Sequence, residues 1–362
     1  MQSYRFDVDN KRGSTGNARM QILIVRVSSL GDVVHNMPMV ADILRHHPTA
    51  QIDWVVEEAY VPLARLNAGV RTVIPFALRR WRKSLGTAQT RAELRTFRRA
   101  LRATAYDYVF DTQGLFKTGL VMRMARLASG GQRVGLANAT EGSGYEAISR
   151  IFHTCSVAVG LHTHAVQRAR MVAATALNYP VDSAANFALM PPPQEQPDWL
   201  PVQPYAVFFH GTARAAKQWP RTQWVALGSM LAGRGLPILL PSGSAAELQA
   251  AQWLAERIDG AIVLPTLPLL SAVLLAQRAA LVVGVDSGLT HIAAAYERPT
   301  VELYCDSPRW KTEGNWSERI VNLGDAGDPP SVADVLSAAD QLLARYQAYP
   351  VGLTSTATRG TL

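Results

Sequence analysis

The sequence predicts an α/β protein built as two parallel-sheet domains facing a central cleft. Three observations carry that expectation. Short β-type runs alternate with helical stretches almost throughout, the pattern of a parallel sheet wrapped by helices. Residues 191–204 break the alternation with a proline-rich run, Pro192-Pro-Gln-Glu-Gln-Pro-Asp-Trp-Leu-Pro-Val-Gln-Pro204, which is linker composition. Beyond it a second α/β series begins, and 362 residues leave room for two domains of ordinary size.

In the first series, strands are expected at 21–27, an apolar run (Gln21-Ile-Leu-Ile-Val-Arg-Val27), at 51–56 (Gln-Ile-Asp-Trp-Val-Val), at 72–76 and at 106–111. Helical patterns lie at 37–47, 117–128 and 164–177. Between the third and fourth strands, Arg91, Arg95, Arg98 and Arg102 share one helical face while Leu94, Phe97 and Leu101 lie on another. The second series reads strand 205–210, helix 221–234, strand 237–241, helix 244–258, strands 261–264, 281–285 and 299–304, and a closing helix at 331–347. Pro265 to Val285 is long and apolar enough to span a bilayer. Gln277-Arg278 at its centre and the β-rich Leu281-Val-Val-Gly-Val285 after it favour a helix followed by a buried strand. Two Rossmann-like domains, 20–190 and 205–348, follow from this order. Residues 1–19, polar and without an apolar core, are expected to be a disordered extension rather than a secretory signal, with Met20 an alternative start, and 349–362 to be a flexible tail.

Composition narrows the function classes. Hydrophobic content of 48% and charged content of 18% describe a globular chain with a full core. Cys155 and Cys305, far apart, give no disulfide framework or zinc site and fit a reducing cytoplasm. Residues 1–185 hold 24 Lys+Arg against 13 Asp+Glu, and the remainder 12 against 15, so the +8 total is a basic half (+11) joined to a slightly acidic one (−3). The first half is therefore expected to meet something anionic. No helix-turn-helix, RNA-recognition or zinc-finger pattern accompanies the charge, so nucleic acid is not the expected partner. No phosphate-loop motif is present, and no His, Cys or carboxylate grouping, His162/His164 included, has metal-ligand spacing. Gly142-Ser-Gly-Tyr-Glu-Ala147 imitates a dinucleotide fingerprint, but no strand leads into it.

Four segments carry candidate chemistry. The first strand runs into Ser28-Ser-Leu-Gly-Asp-Val-Val-His35, leaving Asp32 at the strand's carboxyl end, where open α/β sheets bind ligands. A carboxylate there can take a proton from a hydroxyl. It can equally cap the helix expected near His35, and the residues leave both readings open. In the second series Leu281-Val-Val-Gly-Val-Asp-Ser-Gly-Leu-Thr-His291 is a buried strand, a small-residue turn and a helix start, whose free N–H groups favour a phosphate. Asp286 can orient a sugar hydroxyl there, or it or Ser287 can be an ordinary cap. Phe209-His-Gly-Thr-Ala-Arg-Ala-Ala-Lys-Gln-Trp-Pro220 offers Thr212 as a phosphate donor and Lys217 as a point charge for pyrophosphate, against the plain reading of a solvated lysine. Arg79-Arg-Trp-Arg-Lys83, expected to be a loop, suits phosphate or carboxylate groups near a membrane surface. Glu57-Glu58 read as helix-start charges.

Taken together, these segments resemble the heptosyltransferases of lipopolysaccharide core assembly, with matching pieces from Met20 to about Tyr346. They include Val27–His35, Asp53-Trp-Val-Val-Glu-Glu58, Ile74-Pro75, Arg79–Lys83, Asp111-Thr-Gln-Gly-Leu-Phe-Lys117, His164-Ala-Val-Gln-Arg168, Lys217-Gln-Trp-Pro220 and Val285–His291. Asp53–Glu58 with Arg79–Lys83 favours the branch that adds the first heptose to Kdo on lipid A over the branch that adds the second. The resemblance implies a GT-B fold, with acceptor bound by the first domain and ADP-heptose by the second, and inverting transfer with no metal or other cofactor. It implies Asp32 as catalytic base and Lys217 as the group stabilising the departing ADP. Thr212 and Lys217 would contact phosphate, Glu247 the ribose hydroxyls, Leu267 the adenine, and Asp286, Ser287, Gly288 and His291 the heptose and pyrophosphate. Ser29, Arg79, Arg80, Arg82 and Lys83 would meet the Kdo-lipid A acceptor, placing the enzyme peripherally on the cytoplasmic face of the inner membrane. Ala213 replaces a common hydroxyl residue, Arg26 a frequent lysine, and Tyr304-Cys-Asp-Ser-Pro308 departs from the usual run. Residues 136–163 align poorly and supply no acceptor residue. The rivals are a heptosyltransferase acting on a later core acceptor and a non-catalytic nucleotide-binding Rossmann protein.

Overall fold

The computed structural model describes residues 19–346 except 194, 195 and 213. The expected extension (apart from Arg19), the tail and the departure at Ala213 lie outside the described residues. Two six-stranded sheets form, parallel throughout. The first comprises β1 (Gln21–Val25), β2 (Gln51–Glu57), β3 (Val70–Phe76), β4 (Tyr106–Asp111), β5 (Leu127–Leu136) and β6 (Cys155–Val157), in the order β3-β2-β1-β4-β5-β6. The second comprises β7 (Ala206–Phe209), β8 (Ile238–Leu240), β9 (Ala261–Val263), β10 (Leu281–Val285), β11 (Thr300–Tyr304) and β12 (Ile320–Gly324), in the order β12-β11-β10-β7-β8-β9. Each sheet, counted from its own first strand, has the doubly wound order 3-2-1-4-5-6. The order reverses between β1 and β4 in one and between β7 and β10 in the other.

The central strands are continuous apolar runs because helices cover both their faces. All five residues of β10 are buried, as are Ile22 to Val25 of β1. On one side of the first sheet, the helix Leu30–His46 buries Val33, Val34, Met37, Val40 and Ile43. On the other, the helices Ala88–Ala103 and Phe116–Met124 bury Phe97, Leu101, Val121 and Met122 against Leu23, Val25 and Val109. One apolar cluster runs unbroken from Ile22 and Val34 to Val207 and Ile292, so the two sheets share a core through the helices between them. The segment leaving the first lobe is tied to both lobes. Asn67 Nδ2 donates to the Phe187 carbonyl at 2.9 Å, and the Tyr296 hydroxyl donates to the Met190 carbonyl at 2.7 Å.

Several expected boundaries move, each for a physical reason. The helix expected over 37–47 begins seven residues earlier, at Leu30, with Pro38 inside it. Gly31 reads as a turn residue but is small because the other lobe presses on it: a Cβ there would lie 3.2 Å from the His291 ring. The helix expected over 117–128 ends at Met124, and β5 follows at once. Gly130-Gly131 hid that strand; a Cβ on Gly131 would meet the Tyr106 carbonyl at 2.6 Å, at a register shift. The three-residue β6 and the half-exposed β12 were also not anticipated. Arg79–Lys83 is not simply a loop: Leu78–Trp81 is a short helix with Trp81 buried. Glu57 closes β2 rather than opening a helix, while Glu58 begins a single 3-10 turn.

Candidate active site

The carboxyl ends of β1, β4, β7 and β10 meet across a cavity of about 850 Å3. Two helix starts approach head to head inside it. A Cβ on Gly288 would lie 2.8 Å from Leu30 Cβ, and only glycine allows that approach. The wall carries six lysine and arginine side chains (Arg26, Lys117, Arg168, Arg214, Lys217, Lys311) against three acids (Asp32, Asp286, Asp306), a field suited to anionic ligands.

From the first lobe comes Asp32, which caps its helix and still reaches the cleft. Its carboxylate accepts the Ser29 amide at 2.9 Å and the Ser29 hydroxyl at 3.0 Å, closing the helix start. It also lines the cleft, with about a third of its side chain (35%) exposed. Arg26 pairs with it at 2.5 Å and is itself anchored by donating to the Thr112 carbonyl at 2.6 Å. Burial pushes the Asp32 carboxyl up, but Arg26, the Ser29 amide and Arg168 together hold it well below the usual carboxylate range. Asp32 is therefore ionised, the form a base requires.

The second lobe answers with a network centred on Asp286. Its carboxylate pairs with Lys217, accepts the Ser307 hydroxyl at 2.5 Å and lies 3.0 Å from His291 Nε2. On the far side of the ring, His291 Nδ1 lies 3.0 Å from the fully buried Glu302. Tyr304 and the Gly314 amide donate to the other Glu302 oxygen at 3.0 and 2.9 Å. Burial alone would lower the His291 pKa; the flanking Glu302 and Asp286 overcome it and raise it to about 10, so the ring is an imidazolium. Burial likewise pushes Asp286 up, and His291 and Lys217 reverse this and hold it well below its ordinary value. His35, whose ring centroid is 4.5 Å from that of His291, is driven well below its ordinary pKa by burial and by the like charge, and stays neutral.

The structure thus gathers Asp32, Ser29, Thr212 and Lys217 with Asp286, Ser287, Gly288 and His291 around one cavity. Ser287 is also the N-cap residue of the helix Gly288–Ala295. Glu247 sits in an adjoining cavity of about 140 Å3 that shares Thr212, and it accepts the Gly243 amide at 2.7 Å. Leu267 packs on the apolar core and lines neither cavity. The basic segment also stands outside the cleft wall: Arg79 pairs with Glu57 at 2.8 Å, Arg80 with Glu58 at 2.9 Å and Glu93 at 2.6 Å, and Arg82 and Lys83 are exposed. Sequence reasoning missed Glu302, whose signal was a glutamate inside the apolar run Thr-Val-Glu-Leu-Tyr. It also missed Arg168, which is buried with Thr140 as a hydrogen-bond partner at 2.8 Å, and Lys311, which crosses the cleft to donate to the Gly142 carbonyl at 2.7 Å. Lys311 carried no motif. Gly142 to Gly144, set aside as a false fingerprint, line the cleft as a loop without a following α-helix.

A family model for glycosyltransferase family 9 (heptosyltransferase) matches residues 94–334. The chain belongs to that family. Among the relatives of this heptosyltransferase-family chain, lipopolysaccharide heptosyltransferase 1 of Pseudomonas aeruginosa is 37% identical over 286 residues, 79% of this chain and 78% of that one. The solved structure of E. coli heptosyltransferase WaaC with ADP superposes with a TM-score of 0.76 at 32% identity, covering 90% of this chain and 99% of that one. The same enzyme with ADP-2-deoxy-2-fluoro heptose gives 0.72 at 32% identity, covering 91% and 100%. The GT-B architecture of paired Rossmann-like lobes is shared with these structures.

Proposed function

We propose that the protein is an inverting glycosyltransferase that moves L-glycero-D-manno-heptose from ADP-heptose to the Kdo of Kdo-lipid A in lipopolysaccharide inner-core synthesis. The observation that carries this reading is the opposition of an ionised Asp32 in the first lobe to the Lys217–Asp286–His291 network in the second, across one cation-rich cavity.

In this reading Asp32 takes the proton from the Kdo hydroxyl as its oxygen attacks the anomeric carbon. The bond to ADP breaks on the opposite face, so one base suffices and no covalent intermediate forms. The pyrophosphate takes Lys217 over from Asp286, and Lys217 with the N–H groups opening Gly288–Ala295 stabilises the charge that leaves. Asp286, freed on one side but still bonded to His291 and Ser307, orients a heptose hydroxyl. Thr212 donates to phosphate, Glu247 accepts the ribose hydroxyls from the adjoining cavity, and Leu267 flanks the adenine. On the acceptor side Ser29 holds the sugar. Arg79, Arg80, Arg82 and Lys83 meet its anionic groups once Arg79 and Arg80 exchange Glu57 and Glu58 for them. The reading needs no metal or other cofactor, because Lys217 and the helix start supply the positive charge. It places the protein peripherally on the cytoplasmic face of the inner membrane; among the described residues no helix is long and apolar enough to cross one.

The test is the mass of acceptor after incubation with ADP-heptose. The proposal expects one heptose added to Kdo-lipid A, and far slower addition to an already heptosylated core. Preference for the heptosylated core would shift the assignment to a later step. No added mass on any acceptor, with ADP-heptose bound, would make the protein a nucleotide-sugar binder.

A further inference from the structure

Four of the large apolar side chains left in solvent lie on two elements in contact. Phe116 and Leu120 are 46% and 45% exposed on the helix Phe116–Met124, and their i, i+4 spacing puts them on one face. Ile148 and Ile151 are 52% and 66% exposed on the 3-10 turn Ala147–Phe152, where three residues per turn align them. The two elements are fastened together. The Phe116 amide donates to the Glu146 carboxylate at 2.6 Å, the Phe116 and Phe152 rings are 5.6 Å apart, and a Cβ on Gly119 would collide with the Phe152 ring. Scattered surface leucines need no explanation, but a grouped apolar patch does.

Its surroundings say what it fits. Arg123 follows Leu120 on the same helix and Arg150 lies between the two isoleucines; both are exposed, and among the described residues neither has an ion-pair partner. The adjacent helix Ala88–Ala103 covers the same face of the first sheet and turns Arg91, Arg95, Arg98 and Arg102 outward. Apolar side chains ringed by unneutralised arginines suit an anionic bilayer, whose headgroups take the charge while the acyl layer takes the rings and aliphatic chains. The patch also adjoins the cleft: Leu115 and Lys117, either side of Phe116, line the cavity that holds Asp32.

We propose that Phe116, Leu120, Ile148 and Ile151 form a wedge that seats the first lobe on an anionic membrane, with the arginines around it on the headgroups. This rests on reading the acceptor as a lipid-anchored sugar, since a wedge at the cleft's rim lets the sugar enter while its acyl chains stay in the bilayer. The surface is distinct from the Arg79–Lys83 segment, whose first two arginines are already paired.

The test is co-sedimentation of the full chain with phosphatidylglycerol–phosphatidylethanolamine vesicles and with phosphatidylcholine vesicles, without acceptor. Wild type is expected to partition to the anionic vesicles and weakly to phosphatidylcholine. Leu120→Ser/Ile148→Ser/Ile151→Ser is expected to lose about tenfold or more in partitioning, from lost apolar insertion. Arg123→Glu/Arg150→Glu is expected to weaken anionic-vesicle binding in a salt-dependent way. Because these side chains are exposed, thermal midpoints should stay near wild type, and transfer to a water-soluble deacylated acceptor should be unchanged. The proposal is overturned if the serine variant partitions like wild type. It is equally overturned if sedimentation velocity shows a dimer that the same substitutions dissociate, which makes the patch an interface between copies. Vesicle binding with no transfer to any acceptor would sink the catalytic reading and leave the wedge standing.

Discussion

The two lobes present a carboxylate each at the same kind of place, and they use it differently. Asp32 follows β1 and Asp286 follows β10; both strands flank a reversal in sheet order, and both carboxylates face one cavity. Asp286 is buried and committed to a lysine, a histidine and a serine hydroxyl. Among the described residues Asp32 has one ion-pair partner and its own cap, and it keeps about a third of its side chain open to the cleft (35%). A carboxylate that must accept a proton needs room for the donor. One that must hold cations in place needs enclosure. The proposed division of roles rests on the burial of the two side chains more than on their charge.

Substitutions can break this comparison, the severest first. Asp32→Asn preserves shape and removes the proposed base, so transfer should fall by roughly 10³-fold while ADP-heptose affinity by calorimetry stays within a small factor. Asp286→Asn should do the reverse in kind, weakening donor affinity together with turnover, because Lys217 and His291 lose their common anchor. Lys217→Ala should cost about 10²-fold in kcat, the loss expected when one stabiliser of leaving-group charge is removed. Arg26→Ala sharpens the comparison through pH. Burial raises the Asp32 carboxyl and Arg26 leads the groups that lower it, so without Arg26 the acid limb of kcat/KM should move to higher pH. The smallest effect is on stability. The His291 pKa is raised from 6.5 to about 10, so its contribution is fully present below pH 6.5 and fades as pH rises through 10. Thermal midpoints should fall over that window in wild type, and His291→Gln should flatten the slope.

What the sequence made legible is what local chemistry writes. Continuous apolar runs marked β1 and β10, Pro220 marked the start of the helix at Arg221, and the glycine turns put Asp32 and Asp286 at strand ends. What it hid is what the lobes do to each other. Gly31 and Gly288 look like turn residues until the facing helix start is seen, and Lys217 looks like a solvated lysine until Asp286 is beside it. Glu302 is an anomaly in a strand until it is found holding the far side of His291. Arg168 falls on the buried side of its helix, and nothing in the spacing there says that a cation will be left facing a cleft.

The central claim is that the proton acceptor comes from the first lobe and the activated sugar from the second. A structure with a non-transferable ADP-heptose analogue and a Kdo acceptor tests it most directly. The account predicts the Asp32 carboxylate within about 2.6–3.2 Å of the attacking hydroxyl, with Lys217 on the pyrophosphate. A complex in which Asp32 stays turned onto Arg26 and Ser29 while another group holds that hydroxyl would contradict it.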